Sequence, residues 1–131
     1  MKRLFALAAA AVLSLALFSC NNDPEALLQE VVTTTQSMLP MDVGDGITCT
    51  DISLDDNYLT YYFECDEDST SMDSALVELS NREEFLSELV ADPDMAQLLK
   101  TIKAANRGYA ATYTGNTSGK TATITFEADE L

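Results

Sequence analysis

Residues 47–65 of the chain are ITCTDISLDDNYLTYYFEC, two runs rich in β-branched and aromatic residues joined by Asp55-Asp56-Asn57. β-Branched and aromatic residues favour strands. Asp and Asn favour the turn between them, because both tolerate positive φ and bond their own backbone. The stretch predicts a β-hairpin, with one strand at about Ile47–Leu54 and the second ending near Cys65.

The sequence leaves two registers of this hairpin open. A two-residue Asp56-Asn57 turn places the apolar side chains and Cys65 on one face and Cys49 on the other. A three-residue loop instead pairs Asp55 with Leu59, which places Cys49 opposite Cys65. A slip of one residue turns every side chain to the other face, so both patterns hold together only with a bulge.

A helical pattern precedes the hairpin. Asp23 is a capping residue and Pro24 suits the first helical position; apolar residues then follow at helical spacing as far as Pro40. Residues 41–46 are expected to be a linker.

Helical patterns also follow the hairpin, after an acidic loop at residues 66–73. Ser80 with Glu83 predicts a capping box, Asp92-Pro93 predicts a further helix start, and Gly108 is placed to end that helix. Alternating residues on both sides of a Gly- and Ser-containing turn at 115–119 predict a second hairpin.

This order predicts an α+β fold: an N-terminal helix, a β-hairpin, two or three helices and a C-terminal β-hairpin. Segregated helices and hairpins favour an antiparallel sheet with helices on one face. We expect a single domain over residues 24–131, which is long enough to bury a core.

The N-terminus has the layout of an export signal. Lys2 and Arg3 precede an almost wholly apolar stretch at residues 4–18, which is short for a membrane-spanning helix. Leu17-Phe18-Ser19-Cys20 resembles the lipobox of bacterial lipoproteins, although Phe18 is bulkier than usual. The resemblance implies that residues 1–19 are cleaved, that Cys20 carries acyl chains, and that residues 20–23 form a lipidated N-terminus and short tether.

A second resemblance concerns the mature chain. Residues 47–67 around the acidic turn and residues 108–131 are similar to small Bacteroidota lipoproteins for which no catalytic residues are known. Asn21 follows the cysteine where some inner-membrane lipoproteins have Asp. These features imply an outer-membrane protein, anchored at the periplasmic face or the cell surface.

Charge restricts the partners of the mature chain. Without Lys2 and Arg3, five basic residues remain against 22 acidic ones, a net charge of −17. Nucleic acids and anionic lipid surfaces need clustered Lys and Arg, so neither is expected as a partner. We expect the partner to be an envelope protein or a glycan.

The cysteine count predicts one disulfide. With Cys20 assigned to the lipid, Cys49 and Cys65 remain as a pair in an oxidising compartment. The alternative is two free, half-buried thiols.

The residue inventory argues against catalysis. The chain has no His, which removes the commonest general base and His-based zinc sites. Carboxylate pairs, as in a glycan hydrolase, are the remaining enzymatic alternative. A calcium site at residues 66–73 is disfavoured, because the loop lacks the usual glycine and final acid. No cofactor or metal is expected.

Three residues stand out as candidate sites. Ser69 and Ser74 follow Asp in patterns that resemble Bacteroidota O-glycosylation sites, and Ser69 is preferred because Ser74 could already be helical. Tyr62 is the tyrosine expected to be exposed for binding, although packing within the sheet explains most of the tyrosines. The sequence thus predicts a lipid-anchored binding or accessory module, with a purely structural envelope lipoprotein as a further alternative.

Overall fold

The computed structural model describes residues 23–44, 46–69 and 71–131. The predicted signal peptide and the lipidation site at Cys20 lie outside the described residues. Within the described part, no helix is both long enough and apolar enough to cross a membrane.

Along the described chain, helices precede and follow the first predicted hairpin, as expected. In order, the elements are α1 (Pro24–Gln36), β1 (Met41–Gly44), β2 (Ile47–Leu54), β3 (Tyr58–Cys65), α2 (Met72–Ser80), α3 (Arg82–Ala91), α4 (Pro93–Ala104), β4 (Gly108–Gly115) and β5 (Thr121–Phe126), followed by a 3₁₀ turn (Ala128–Glu130).

Two predicted helix starts are confirmed. The Asp23 side chain accepts a hydrogen bond from the Glu25 N–H at 3.3 Å and caps α1. Asp92 caps α4 by accepting from the Asp94 and Met95 N–H groups at 2.8 and 3.2 Å. Each cap satisfies N–H groups that have no partner within the helix.

The predicted capping box at Ser80 and Glu83 is wrong by one residue. Asn81 caps α3 by accepting from the Glu84 N–H at 3.4 Å. The Ser80 hydroxyl instead donates to the Val77 carbonyl at 2.7 Å, because Ser80 still belongs to the last turn of α2.

The α+β class is confirmed, but the sheet is mixed. Its strands lie in the order β1-β2-β3-β4-β5, and all neighbours are antiparallel except β3 and β4, which are parallel. Parallel neighbours need a long crossover, which α2, α3 and α4 provide. The predicted linker at 41–46 is wrong in part, since Met41–Gly44 pairs with β2 as an edge strand.

The turn at Asp56-Asn57 has two residues, and the Asp55 N–H donates to the Tyr58 carbonyl at 3.0 Å. A bulge at Thr50 shifts the register, so that Asp51 pairs with Tyr62 but Cys49 pairs with Phe63. The extra residue turns Cys49 back to the apolar face.

The predicted disulfide is wrong, and both cysteines are free and buried. The bulge brings Cys49 and Cys65 to the same face, but Cys49 lies opposite Phe63 while Cys65 lies opposite Ile47. The two thiols therefore occupy diagonal positions of the hairpin, where side chains are farther apart than in a directly opposed pair.

The core lies between the sheet and the helices. Its largest fully buried side chains include Tyr61, Tyr109 and Tyr113, and the rings of Phe63 and Tyr113 stack with their centroids 4.9 Å apart. Three of the five tyrosines are therefore packing residues, as β-propensity suggests.

The end of α4 differs from the prediction. The helix ends at Ala104, Asn106 adopts a positive φ of 60°, and Gly108 opens β4. A Cβ atom at Gly108 would lie 2.5 Å from the Phe126 carbonyl oxygen and 2.7 Å from the Tyr58 ring. Close packing at the sheet end, and not helix termination, requires glycine at this position.

Candidate functional site

An apolar groove of about 380 Å³ lies at the surface between α3 and α4. Its lining consists of side chains from both helices and from the C-terminal segment: Leu86, Val90, Ala96, Leu99, Lys100, Lys103 and Leu131. Apolar grooves between helices are common places for ligands and partner segments to bind.

The sequence of α3 explains this groove. Phe85 and Leu89 lie one helical turn apart and are fully buried. Leu86 and Val90 follow each of them by one residue and form a second apolar stripe, rotated about 100° around the helix. Because Phe85 and Leu89 already fill the core, the second stripe faces α4 and the solvent, and Val90 remains 46% exposed.

Two lysines border the groove, although residues 20–131 are strongly acidic. The Lys103 ammonium donates to the Leu131 carbonyl at 2.8 Å. Lys100 contacts no acceptor within the described chain.

The other three basic residues in the described part each pair with a carboxylate. The pairs are Arg82 with Glu130 at 2.6 Å, Arg107 with Glu25 at 3.0 Å, and Lys120 with Asp73 at 4.0 Å. Within the described residues, Lys100 is thus the basic side chain without a partner, and it lies at the edge of an apolar surface.

A larger hollow of about 630 Å³ lies at the end of the sheet beside the Asp56-Asn57 turn, and its lining is mainly polar. Arg107 in its wall donates to the Asp55 and Ala105 carbonyls and to Glu25. The Tyr58 hydroxyl bonds Glu127, which raises the pKa of Tyr58. These groups hold chain segments together, so we interpret this hollow as structural.

The segment predicted as an acidic loop ends before residue 73, because α2 begins at Met72. Its Glu67 has a structural role. Glu67 accepts hydrogen bonds from the Ser118 hydroxyl at 2.5 Å and the Ser118 and Thr117 N–H groups at 2.7 and 3.1 Å. These bonds hold the pKa of Glu67 below its usual value, and the bond from the Ser118 hydroxyl has the largest effect. Among the described side chains, no group of three or more potential ligands is placed to hold a metal ion.

The candidate residues from the sequence lie apart from one another and from the groove. Tyr62 is half-buried on the sheet face that carries no helices. Ser69 is exposed in the turn after β3, and Ser74 is exposed on the first turn of α2. Glycosylation of either serine stays a prediction.

Burial makes the two thiols poor nucleophiles. It raises the pKa of Cys49 to about 12 and that of Cys65 to about 11. The thiolate is the reactive form of cysteine, so neither residue is suited to covalent chemistry at neutral pH.

The sequence of α3 contains a signal for the groove, but helical periodicity alone does not distinguish the groove residues from the core residues. The apolar residues of α3 form two adjacent stripes, whereas a helix that packs on one side needs only one. Lys100 and Lys103 lie in the C-terminal part of α4, where the helix dipole favours cations. This accounts for their position on the helix but not for the apolar surface that they border.

The sequence matches no known family model and no curated protein. Three solved structures share the fold. The first is a protein of Pseudomonas aeruginosa assigned as secreted, with TM-score 0.57 and 16% identity, covering 86% of this chain and 98% of its own. The others are pilotins of type II secretion systems. EpsS from Vibrio vulnificus has TM-score 0.57 and 14% identity, covering 82% of this chain and 90% of its own. AspS from Vibrio cholerae has TM-score 0.56 and 12% identity, covering 82% and 92%. At these identities the likeness concerns the fold.

Proposed function

We propose that this chain is a lipid-anchored accessory protein of the bacterial envelope, which binds an acidic, amphipathic segment of another envelope protein in the groove between α3 and α4. The observation that carries the proposal is the unpartnered Lys100 at the edge of an otherwise apolar groove.

The anchor rests on the N-terminal sequence. The basic start, the apolar stretch and the lipobox-like Leu17-Phe18-Ser19-Cys20 favour export and acylation at Cys20. Two or more acyl chains give stable membrane attachment, whereas one gives only marginal attachment. Two proteins with this fold are pilotins of type II secretion systems, which supports an accessory role at the envelope. We place the protein at the outer membrane.

The chemistry of the groove selects the partner. Leu86, Val90 and Leu99 offer apolar contact to side chains spaced by three or four residues on a partner helix. A carboxylate on the same segment would meet Lys100. Such an exposed ion pair contributes little free energy, about 0–1 kcal/mol, but it selects against partners with the wrong charge.

We propose further that the protein is not an enzyme. Three described carboxyl groups, Asp55, Glu67 and Glu130, have a lowered pKa. The general acid of a carboxylate-based hydrolase needs a raised pKa, so that it holds a proton at neutral pH. None of these three groups is therefore suited to be that acid.

Site-specific photo-crosslinking in native membranes tests the groove. A photoreactive amino acid at Val90 places the probe at the groove edge, where a 46% exposed side chain tolerates replacement. The same probe at Thr123, on the opposite face of the sheet, is the control position. We expect one envelope protein to be crosslinked from Val90 and not from Thr123, through a segment that carries spaced apolar residues and an acid.

Charge reversal then tests the role of Lys100. Lys100→Glu should strongly reduce the crosslink from Val90, whereas Lys120→Glu makes the same charge change away from the groove and should leave it intact. Equal effects of the two substitutions, or a crosslinked segment without an acid, would contradict the proposed partner chemistry.

A further inference from the structure

The sheet face opposite the helices presents rows of hydroxyl groups. Strand pairing places Asp51, Tyr62, Thr112 and Thr123 side by side across β2 to β5. The neighbouring rows are formed by Ser53, Thr60, Ala110 and Thr125, and by Thr48, Glu64, Thr114 and Thr121. With strands about 4.8 Å apart, one row of four residues spans about 14 Å.

Tyr62 lies over this face and does not stand upright from it. It pairs with Asp51, yet its hydroxyl lies 3.4 Å from the Ser53 Oγ, two residues farther along β2. A half-buried side chain that reaches a diagonal neighbour leans across the adjacent strand. The side chain therefore leans toward β2, and part of it remains exposed to solvent.

The charges of this face restrict its ligand. The five strands contain no Lys or Arg, and the charged side chains in these rows are the exposed Asp51 and Glu64. A field of this sign repels anions such as phosphate, acidic peptides and acidic polysaccharides. The remaining groups are hydroxyls, which donate and accept hydrogen bonds, and carboxylates, which accept them.

We propose that this face binds a neutral polysaccharide chain, with a sugar ring stacked on Tyr62. Sugar rings present C–H groups on their faces and hydroxyls around their edges. The Tyr62 ring matches the C–H face, and the carboxylate of Asp51 and the hydroxyls of Thr112 and Thr123 match the edge hydroxyls. The Thr112 and Thr123 hydroxyls already lie 3.1 Å apart and form a small polar pair beside the ring.

This surface is separate from the groove between α3 and α4, so the inference does not depend on the proposed function. A protein held by its lipid at the envelope would contact a glycan with the sheet and a protein partner with the helices. The two activities can be removed independently by substitutions on opposite sides of the domain.

Depletion binding to insoluble polysaccharides tests the inference. The lipidated protein, extracted in a detergent without sugar headgroups, is mixed with cellulose, unsubstituted xylan or unsubstituted mannan, and the unbound fraction is measured. Polygalacturonate serves as the anionic comparison. We expect binding to at least one neutral polysaccharide and weaker binding to polygalacturonate.

The variants separate stacking from unfolding. Tyr62→Ala should weaken binding by roughly tenfold or more. Removal of an aromatic side chain has an effect of this size at sites where nucleic-acid bases stack on it. Tyr62→Phe keeps the ring and should retain most of the affinity. Val90→Asp, in the groove, should leave polysaccharide binding unchanged, and thermal unfolding checks that each variant folds.

Three outcomes would overturn the inference. The first is that no neutral polysaccharide retains the wild-type protein. The second is that Tyr62→Ala binds as tightly as wild type. The third is that oligolysine displaces the polysaccharide, since this face would then serve a cationic peptide.

Discussion

Two buried tyrosine hydroxyls are expected to destabilise the native protein. Tyr61 and Tyr109 are fully buried, and neither hydroxyl has a hydrogen-bond partner in the described chain. Their ring centroids lie 6.1 Å apart, and burial raises the pKa of both phenols. A buried polar group without a partner costs about 1–3 kcal/mol, because it has lost its bonds to water.

Replacing either residue with Phe removes the hydroxyl and keeps the ring. The loss of a hydroxyl volume leaves a small void, which costs a few tenths of a kcal/mol at about 24 cal/mol per Å³. We therefore expect Tyr61→Phe and Tyr109→Phe each to raise the free energy of unfolding by about 1 kcal/mol. Tyr113→Phe is the control: this residue is equally buried, but its hydroxyl is not among the unpartnered atoms, so the change should cost about 1 kcal/mol.

Urea denaturation followed by circular dichroism measures the effect, on protein carrying Cys20→Ala to keep it out of membranes. With a slope of about 1–3 kcal/mol per molar urea, the midpoint should rise by about 0.5 M. Destabilisation by both single substitutions, with recovery in the double variant, would refute the reasoning. It would mean that the two hydroxyls share an internal water molecule and are satisfied in the native state.

Three further predictions concern the cysteines. Burial raises the pKa of Cys49 to about 12 and of Cys65 to about 11 from 9.0, so their contribution to stability is complete below pH 9 and is lost as the pH rises through 11 to 12. We expect the urea midpoint to decrease as the pH rises above about 9. We also expect a thiol reagent, used without any reductant, to label Cys49 and Cys65 only in the unfolded protein. Rapid labelling of the folded protein would contradict the buried position of the thiols. Cys20→Ala should release the protein from membranes without unfolding it, and protein that still pellets with membranes after alkaline carbonate would contradict the lipid anchor.

Local chemistry accounts for the elements that the sequence predicted correctly. Asp23 and Asp92 cap their helices because an Asp before Pro satisfies the first N–H groups, whatever the rest of the chain does. The Asp56-Asn57 turn formed for a similar reason, since the Asp55 side chain accepts the Asn57 and Tyr58 N–H groups at 2.7 Å. These signals act within four residues and can be recognised in a single sequence.

The features that the sequence did not predict depend on distant segments. The parallel pairing of β3 with β4 follows from where three helices return the chain, which no local pattern encodes. The bulge at Thr50 resolves a conflict between turn length and apolar pattern that the sequence had already exposed. The bulge also explains why the cysteines are free. It places Cys49 on the same face as Cys65, but the two residues are diagonal neighbours and not directly opposed.

The candidate surfaces were only partly predictable. Tyr62 was identified because an aromatic residue on a solvent-facing strand position is recognisable from alternation. The groove was not, because Leu86 and Val90 have the composition of core residues. Only the packing of α3 shows that Phe85 and Leu89 have already taken the core positions.

The scarcity of cations makes their placement informative. Four of the five basic residues among residues 20–131 join segments that are distant in sequence. Arg107 ties α1 to the end of α4, Arg82 and Lys103 hold the C-terminal segment, and Lys120 approaches the start of α2. Because residues 20–131 carry a net charge of −17, each of these contacts also relieves repulsion among carboxylates.

Lys100 does not contribute in this way within the described chain. It lines the apolar groove, and its ammonium has no acceptor among the described residues. At a distance the whole domain repels an acidic partner, but beyond about 8 Å salt screens this repulsion at physiological ionic strength. A short-range contact to Lys100 would then act only after apolar side chains have entered the groove. Within that distance the acidic surface still repels other carboxylates, so the groove would accept only a segment whose acid lies beside a matching apolar stripe.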